Sequence, residues 1–355
     1  MPDPRARYKD MVFLPAKHID NLDRSTRFPY QQGTASAAML DLPTARFQEH
    51  TLVRIGDDHA GGSMLLLAPE AGGRLVRWRH HGEDILYWPN PADWSNPAKI
   101  RGGNPILFPF IGRHFVDGEP GRWRDAGGQV HALPQHGFAR DLPFEVESAD
   151  RAHIVLLLRD GPQTRAGYPF AFEFRVSYRL LEDGLEATFS VTHAAEGDTH
   201  APMPFYAGHH FYFALPCVLR HATTLQMPPS RLSRQLADGS LDTPQPGHTL
   251  YTLDTPALQD RYHLLDGAGA IVLDIPPHPD APLGRRIRIE IDGALMPWHA
   301  ITTWTESETS DFYCIEPWMG LPNAVHHGEG LHLLAPGDTR HATCRLRIAR
   351  QSASG

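Results

Sequence analysis

The chain has 355 residues, 41% of them hydrophobic and 21% charged, with a formal net charge of -8. That is an ordinary globular composition with ample length for a large core. The acidic total and the absence of a long basic run argue against nucleic acid as a partner. No apolar run is long enough to span a bilayer, and the N-terminal stretch "MPDPRARYKDMVFLPAKHID" has no apolar signal core. Three cysteines, Cys217, Cys314 and Cys344, are odd in number and widely spaced, so reduced thiols in a cytoplasmic protein are the expectation.

Residues 1–45 mix Pro, Arg, Asp, Gln, Ser and Thr without a sustained period. Met11-Val12-Phe13-Leu14 and Phe28-Pro29-Tyr30 carry apolar groups there, which favours a partly docked arm over a loose extension. Residues 46–350 are expected to form one domain and 351–355 a tail.

Within that domain the dominant period is two. In "AFEFRVSYRL", Phe172, Phe174, Val176, Tyr178 and Leu180 point one way, while Glu173, Arg175, Ser177 and Arg179 point the other. Asp183-Gly184 is a hairpin turn signal, after which Leu185, Ala187, Phe189 and Val191 restart the alternation. "RRIRIEIDG" and "TCRLRIA" repeat it. The 32 prolines and 31 glycines punctuate short strands and leave little room for long helices. Two stretches, 88–105 and 227–250, are turn-rich. The pattern predicts an all-β domain of many antiparallel strands in stacked sheets.

Four stretches interrupt the strands with polar chemistry. In "IRGGNPILFPFIGRHF", Arg101 and Arg113 flank a Gly-Gly-Asn-Pro turn. Read alone, this is a tight turn with two solvated arginines, and it has no phosphate-loop spacing. "HGFAR" places His136 before Gly137, where the backbone can turn sharply, with Arg140 four residues on. "YAGHHFYFALP" sets His209 and His210 among aromatics, and strand geometry sends adjacent side chains to opposite faces. In "DFYCIEPWMGLPNAV", Glu316 follows an apolar strand and precedes Pro317-Trp318. Apolar walls there would raise its pKa toward the range useful to a base. Any one of these is compatible with a structural role. Together, histidines, a semi-buried glutamate, arginines and aromatic faces suit a sugar, with its apolar C–H faces and rim of hydroxyls.

These motifs resemble, in order, those of the aldose 1-epimerase (galactose mutarotase) family, over roughly residues 47–349. "RGGNPILFPFIGR" is similar to its Gly-x-Pro-x-x-Phe-Pro segment, and "HGFAR" to its most recognisable signature. "GHHFYF" is similar to Gly-x-His-Pro-Tyr-Phe, with Phe211 in place of the proline, and "CIEPWMGLPNA" to the Glu-Pro-Trp segment. The resemblance implies a large antiparallel β-supersandwich with few short helices, acting on a small-molecule sugar as a monomer or homodimer. It implies Glu316 as the base at the anomeric hydroxyl, His210 as the acid at the ring oxygen and His136 as a binding and polarising group. Arg101, Asn104, Arg113, Arg140, Asp260 and Trp318 are candidate substrate contacts. No cofactor and no metal is implied.

Three alternatives stay open. Relatives acting on hexose 6-phosphates share the arginine-bearing motifs, and Arg101, Arg113 and Arg140 could clamp a phosphate. A non-catalytic sugar-binding module would keep the aromatics and arginines without needing the glutamate and both histidines. A cupin-like metalloenzyme would need paired histidines on one strand face, and no such spacing stands near these motifs.

Overall fold

The computed structural model describes residues 42–59, 61–194, 201–267, 269–278, 284–291 and 297–351. The expected N-terminal arm lies outside the described residues up to residue 41. The first strand, Thr44–Phe47, begins just inside the expected domain boundary.

The clearest alternation in the sequence forms the centre of the larger sheet. Phe172–Leu181 and Gly184–His193 pair as a long antiparallel hairpin through the Asp183-Gly184 turn. Phe174, Val176, Tyr178, Ala187 and Phe189 are fully buried. The opposite face is lined by charged side chains, with Arg175 bonded to Glu147 and Glu173. This is the pattern of a sheet with one face on a core and one in water.

Nine strands make up this sheet, in the order 145–149, 153–159, 172–181, 184–193, 339–351, 284–291, 271–275, 224–226 and 250–252. The last strand of the chain is longer than "TCRLRIA" predicts, running Thr339–Gln351. It sits between 184–193 and 284–291 and is held by ladders on both sides.

A second sheet runs 245–246, 230–233, 261–265, 300–304, 312–318, 208–209 and 106–107, with Phe211–Ala214 also paired to Phe312–Trp318. A five-stranded sheet spans residues 44–84. Between the two large sheets the core is strongly aromatic. Phe108 stacks on Phe174 at 4.3 Å between ring centroids, and His209 stacks on Phe189 at 4.0 Å. Among the described residues the α-helices are two single turns, Pro162–Arg165 and Ala324–His327, and no helix is long and apolar enough to cross a membrane. The expected β-supersandwich with few short helices is the fold observed.

Candidate active site

The second sheet presents a cross-strand row of side chains on the face away from the first sheet. Phe312–Trp318 is its central strand and every residue in it is buried. Side chains two apart share a face, so Cys314, Glu316 and Trp318 point together. The register sets Tyr262 against Thr302 and Thr302 against Glu316. On the other side Tyr212 lies against Cys314, and Gly208 against Trp318. His210, midway between Gly208 and Tyr212, therefore falls beside Glu316. Its Nδ1 lies 3.4 Å from Glu316 Oε1. Glycine at 208 leaves room for the indole: a Cβ there would sit 2.7 Å from Trp318 Cδ1.

The adjacent histidines separate as strand geometry predicts. His209 enters the core between the sheets. His210 faces the cleft, stacked on Tyr212 at 4.6 Å between ring centroids. The ladder is interrupted between Gly208–His209 and Phe211–Ala214. There the backbone N–H of His210 donates to Asn104 Oδ1 at 2.8 Å. The Asn104 amide nitrogen lies 2.9 Å from Tyr178 Oη and 3.0 Å from His209 Nδ1. Asn104 was expected at the substrate. It is fully buried instead, with both ends of its amide engaged behind the histidines.

His136 arrives from a different loop. It has φ 67° and Gly137 has φ 73°, two successive left-handed residues. Gly137 is required there: a Cβ would meet Phe108 O at 2.1 Å. The turn is tied down by His136 N–H donating to Gly112 O and by Phe138 N–H donating to Phe108 O. The Gly112 N–H donates to His136 Nδ1 at 3.1 Å, so the neutral ring carries its proton on Nε2. The His136 ring centroid is 6.0 Å from that of His210 and 6.1 Å from that of Trp318.

Burial dominates the electrostatics. It pushes the Glu316 carboxyl well above the usual carboxylate range, opposed by the Trp318 Nε1 hydrogen bond to Oε2 at 3.2 Å. Burial also pulls His210 and His136 well below the ordinary imidazole value, assisted by Arg140 in both cases. Burial therefore disfavours both the ionised glutamate and the protonated histidine that the resemblance implies. Desolvation favours a neutral carboxyl beside a neutral imidazole.

The remaining candidates separate into two groups. Arg101 and Arg140 are within electrostatic reach of both histidines. Arg101 is paired with Glu306 at 3.1 Å, and its guanidinium lies 5.3 Å from the Trp304 ring centroid. Arg140 Nη2 donates to Gln135 O at 2.7 Å. Asp260 and Arg113 are exposed and act on Tyr262, with Asp260 also reaching Glu316.

The third guanidinium near His210 is Arg74, which the sequence reading missed. It is 1% exposed, donates to Ile100 O, and has no partner at Nε or Nη2. Burial lowers it to about 10. It begins a strand of apolar and arginine residues, and nothing local distinguishes it from Arg77 and Arg79, which are partly exposed and pair with Asp84 and Asp58. Tyr212 and Thr302 were missed for a similar reason, since only the register brings them to this face.

Comparison with known proteins gives the class. The family model described as aldose 1-epimerase matches residues 57–347, and the chain belongs to that family of sugar-converting isomerases. Protein LacX (chromosomal) of Lactococcus lactis subsp. lactis is 25% identical over 274 residues, covering 72% of this chain and 85% of its own. A relative from Cenchrus ciliaris, provisionally named a glucose-6-phosphate 1-epimerase, is 29% identical over 155 residues, 40% of this chain and 41% of its own. The crystal structure of Slr1438 from Synechocystis sp. PCC 6803 superposes with a TM-score of 0.70 at 27% identity, over 86% of this chain and 99% of that one.

Asn104→Ala would leave the His210 N–H, the Tyr178 hydroxyl and His209 Nδ1 without their shared partner. The expected loss is about 2–4 kcal/mol of unfolding free energy, read from urea denaturation, with no change in the slope of the transition.

Proposed function

We propose that this chain interconverts the α and β anomers of an aldose by acid–base ring opening and closure. The observation that carries this reading is the buried Glu316–His210 pair at 3.4 Å, with His136 beside it. Glu316 takes the proton of the anomeric hydroxyl while His210 protonates the ring oxygen, and the bond from C1 to that oxygen breaks. His136, with a proton on Nε2, helps to bind and polarise that oxygen. The free aldehyde rotates about C1–C2. In closure the protonated Glu316 returns its proton to the carbonyl oxygen and His210 recovers its own. The cycle is proton-neutral and requires one mobile proton on the pair.

That proton count is the same for neutral carboxyl with neutral imidazole as for carboxylate with imidazolium. Burial favours the first form, and moving one proton within the pair produces the second. Trp318 and Asp260 are proposed as substrate contacts at the carboxyl side, and Arg113 at the rim. Asn104 is proposed as a positioning residue that fixes the His210 backbone.

A phosphorylated aldose is the second reading, favoured by one observation. Arg74, Arg101 and Arg140 lie within electrostatic reach of one another, with Asp141 facing two of them and Glu306 the third. The partnerless N–H groups of Arg74 suit an anionic substituent. Arg113 does not belong to this cluster. The provisional name of the Cenchrus ciliaris relative points the same way.

The decisive experiment is polarimetry on freshly dissolved α-D-glucose and α-D-galactose, with wild type beside Glu316→Gln. Wild type should accelerate anomer exchange, and the variant should lose at least about 100-fold of that acceleration. Sugar binding and exchange that are both unaltered by the variant would instead make this a sugar-binding module.

The pH profile provides a separate check. The pair gains a second proton only below the depressed imidazole value, and loses its last only above the raised carboxyl value. Activity should therefore hold over a wide plateau, with an alkaline limb belonging to the pair. Trp318→Phe removes the hydrogen bond that favours the carboxylate, so this limb should move about one pH unit further alkaline. For the phosphosugar reading, Arg140→Gln should lower kcat/KM for glucose 6-phosphate at least about tenfold, with glucose much less affected.

A further inference from the structure

The cross-strand row that joins Glu316 to His210 also carries a thiol. Cys314 is two residues before Glu316 on the same strand face, and Tyr212, its partner across the ladder, is two residues after His210. His210, Cys314 and Glu316 each offer one donor atom, and the three atoms lie within 4.8 Å of one another. All three residues are buried. The triad is not legible along the chain, because its spacing matches none of the Cys/His zinc patterns and its histidine stands about a hundred residues away.

We propose that His210 Nδ1, Cys314 Sγ and Glu316 Oε1 form a binding site for a thiophilic divalent cation, zinc above all, which blocks the catalytic cleft when occupied. The Nδ1–Oε1 separation of 3.4 Å is close to the roughly 3.3 Å between two such ligands on a tetrahedral zinc. The sulfur lies within 4.8 Å of the other two donors, so it needs to close by at most about 1.2 Å to reach tetrahedral zinc distances. His210 Nδ1 has no hydrogen-bond partner and is buried, so a lone pair stands open toward the triad. Thiolate, imidazole and carboxylate together match zinc better than magnesium or calcium.

Occupancy leaves the site electrically neutral beside the neighbouring guanidiniums. Binding displaces one proton from the Cys314 thiol and one from the Glu316 carboxyl, while His210 binds neutral. Two negative ligands cancel the dication, so Arg74, Arg101 and Arg140 face a site of no net charge. His210 is the least buried of the three, which places the entry path and the open fourth position on the cleft side. A bound ion takes up the Glu316 carboxylate and the His210 lone pair, so anomer exchange and metal binding exclude one another.

The inhibition part of this inference rests on the epimerase reading. The binding part does not, and the test separates them. Co2+ added to the full chain should produce a sulfur-to-cobalt charge-transfer absorption. The band should vanish in Cys314→Ser and persist in Cys217→Ser, the variant of the more accessible thiol. Calorimetric affinity for Zn2+ should fall at least about tenfold in Cys314→Ser. Zn2+ should stop anomer exchange by wild type, EDTA should restore it, and Cys314→Ser, measured against its own metal-free rate, should resist at least about tenfold more Zn2+. Absence of the thiolate band, or equal Zn2+ affinity in Cys314→Ser, would overturn the site whatever the activity. The band without any epimerase activity would keep the site and remove the catalytic reading.

Discussion

Glu316 occupies the middle of a seven-residue strand in which every side chain is buried. A carboxyl group in that position loses its hydration and must be neutral, hydrogen-bonded or beside a compensating group. All three conditions are met from adjacent strands and from its own. Trp318, two residues on, supplies the N–H. His210, across the ladder, supplies the imidazole. Burial holds the carboxyl and the imidazole in their neutral forms, so the pair carries no net charge. The register of the second sheet is therefore under chemical as well as packing constraint, because a one-residue slip would turn Glu316 into the core and remove its partners.

The support for this pair extends well behind it. His210 sits at a break in the ladder where a backbone N–H would otherwise be unpaired, and Asn104 fills that gap. The same amide reaches Tyr178 in the long hairpin of the other sheet and the second histidine, His209. One buried side chain thus links the two sheets to the position of His210. His136 is held with similar economy. Its left-handed turn is fastened to the segment 108–112, and the Gly112 N–H fixes its tautomer. Both imidazoles belong to rigid, hydrogen-bonded backbone, the arrangement expected where proton transfer needs fixed geometry.

The cleft also holds more positive charge than its visible counter-ions balance. Arg74 is almost completely buried with two nitrogens unpartnered, while Arg101 shares its guanidinium with Glu306 and the face of Trp304. After burial, the cleft guanidiniums, Arg140 first, are the next cause of the depressed imidazoles. Cys314 lies beside Glu316 without a polar partner, among Tyr212, Phe312 and Trp304. A thiol is a small apolar group in that setting until a metal ion makes it a ligand.

The long alternating strands were legible in the residue order, because a period of two with a hydrophobic face is a local property. Asp183-Gly184 and the alternation on either side of it gave the hairpin, and the opposite directions of His209 and His210 followed from the same geometry. The motifs around His136, His210 and Glu316 were legible as unusual polar groups in apolar strands. Tertiary structure decided which of them meet. Only register brings Tyr262, Thr302, Glu316 and His210 into one row, and register is set by pairings among segments up to about a hundred residues apart. Only packing shows that Asn104 faces inward, that Arg74 rather than Arg113 joins Arg101 and Arg140, and that Cys314 stands within reach of His210. Protonation was likewise decided in three dimensions, since desolvation depends on what surrounds a group on every side and not on its neighbours along the chain.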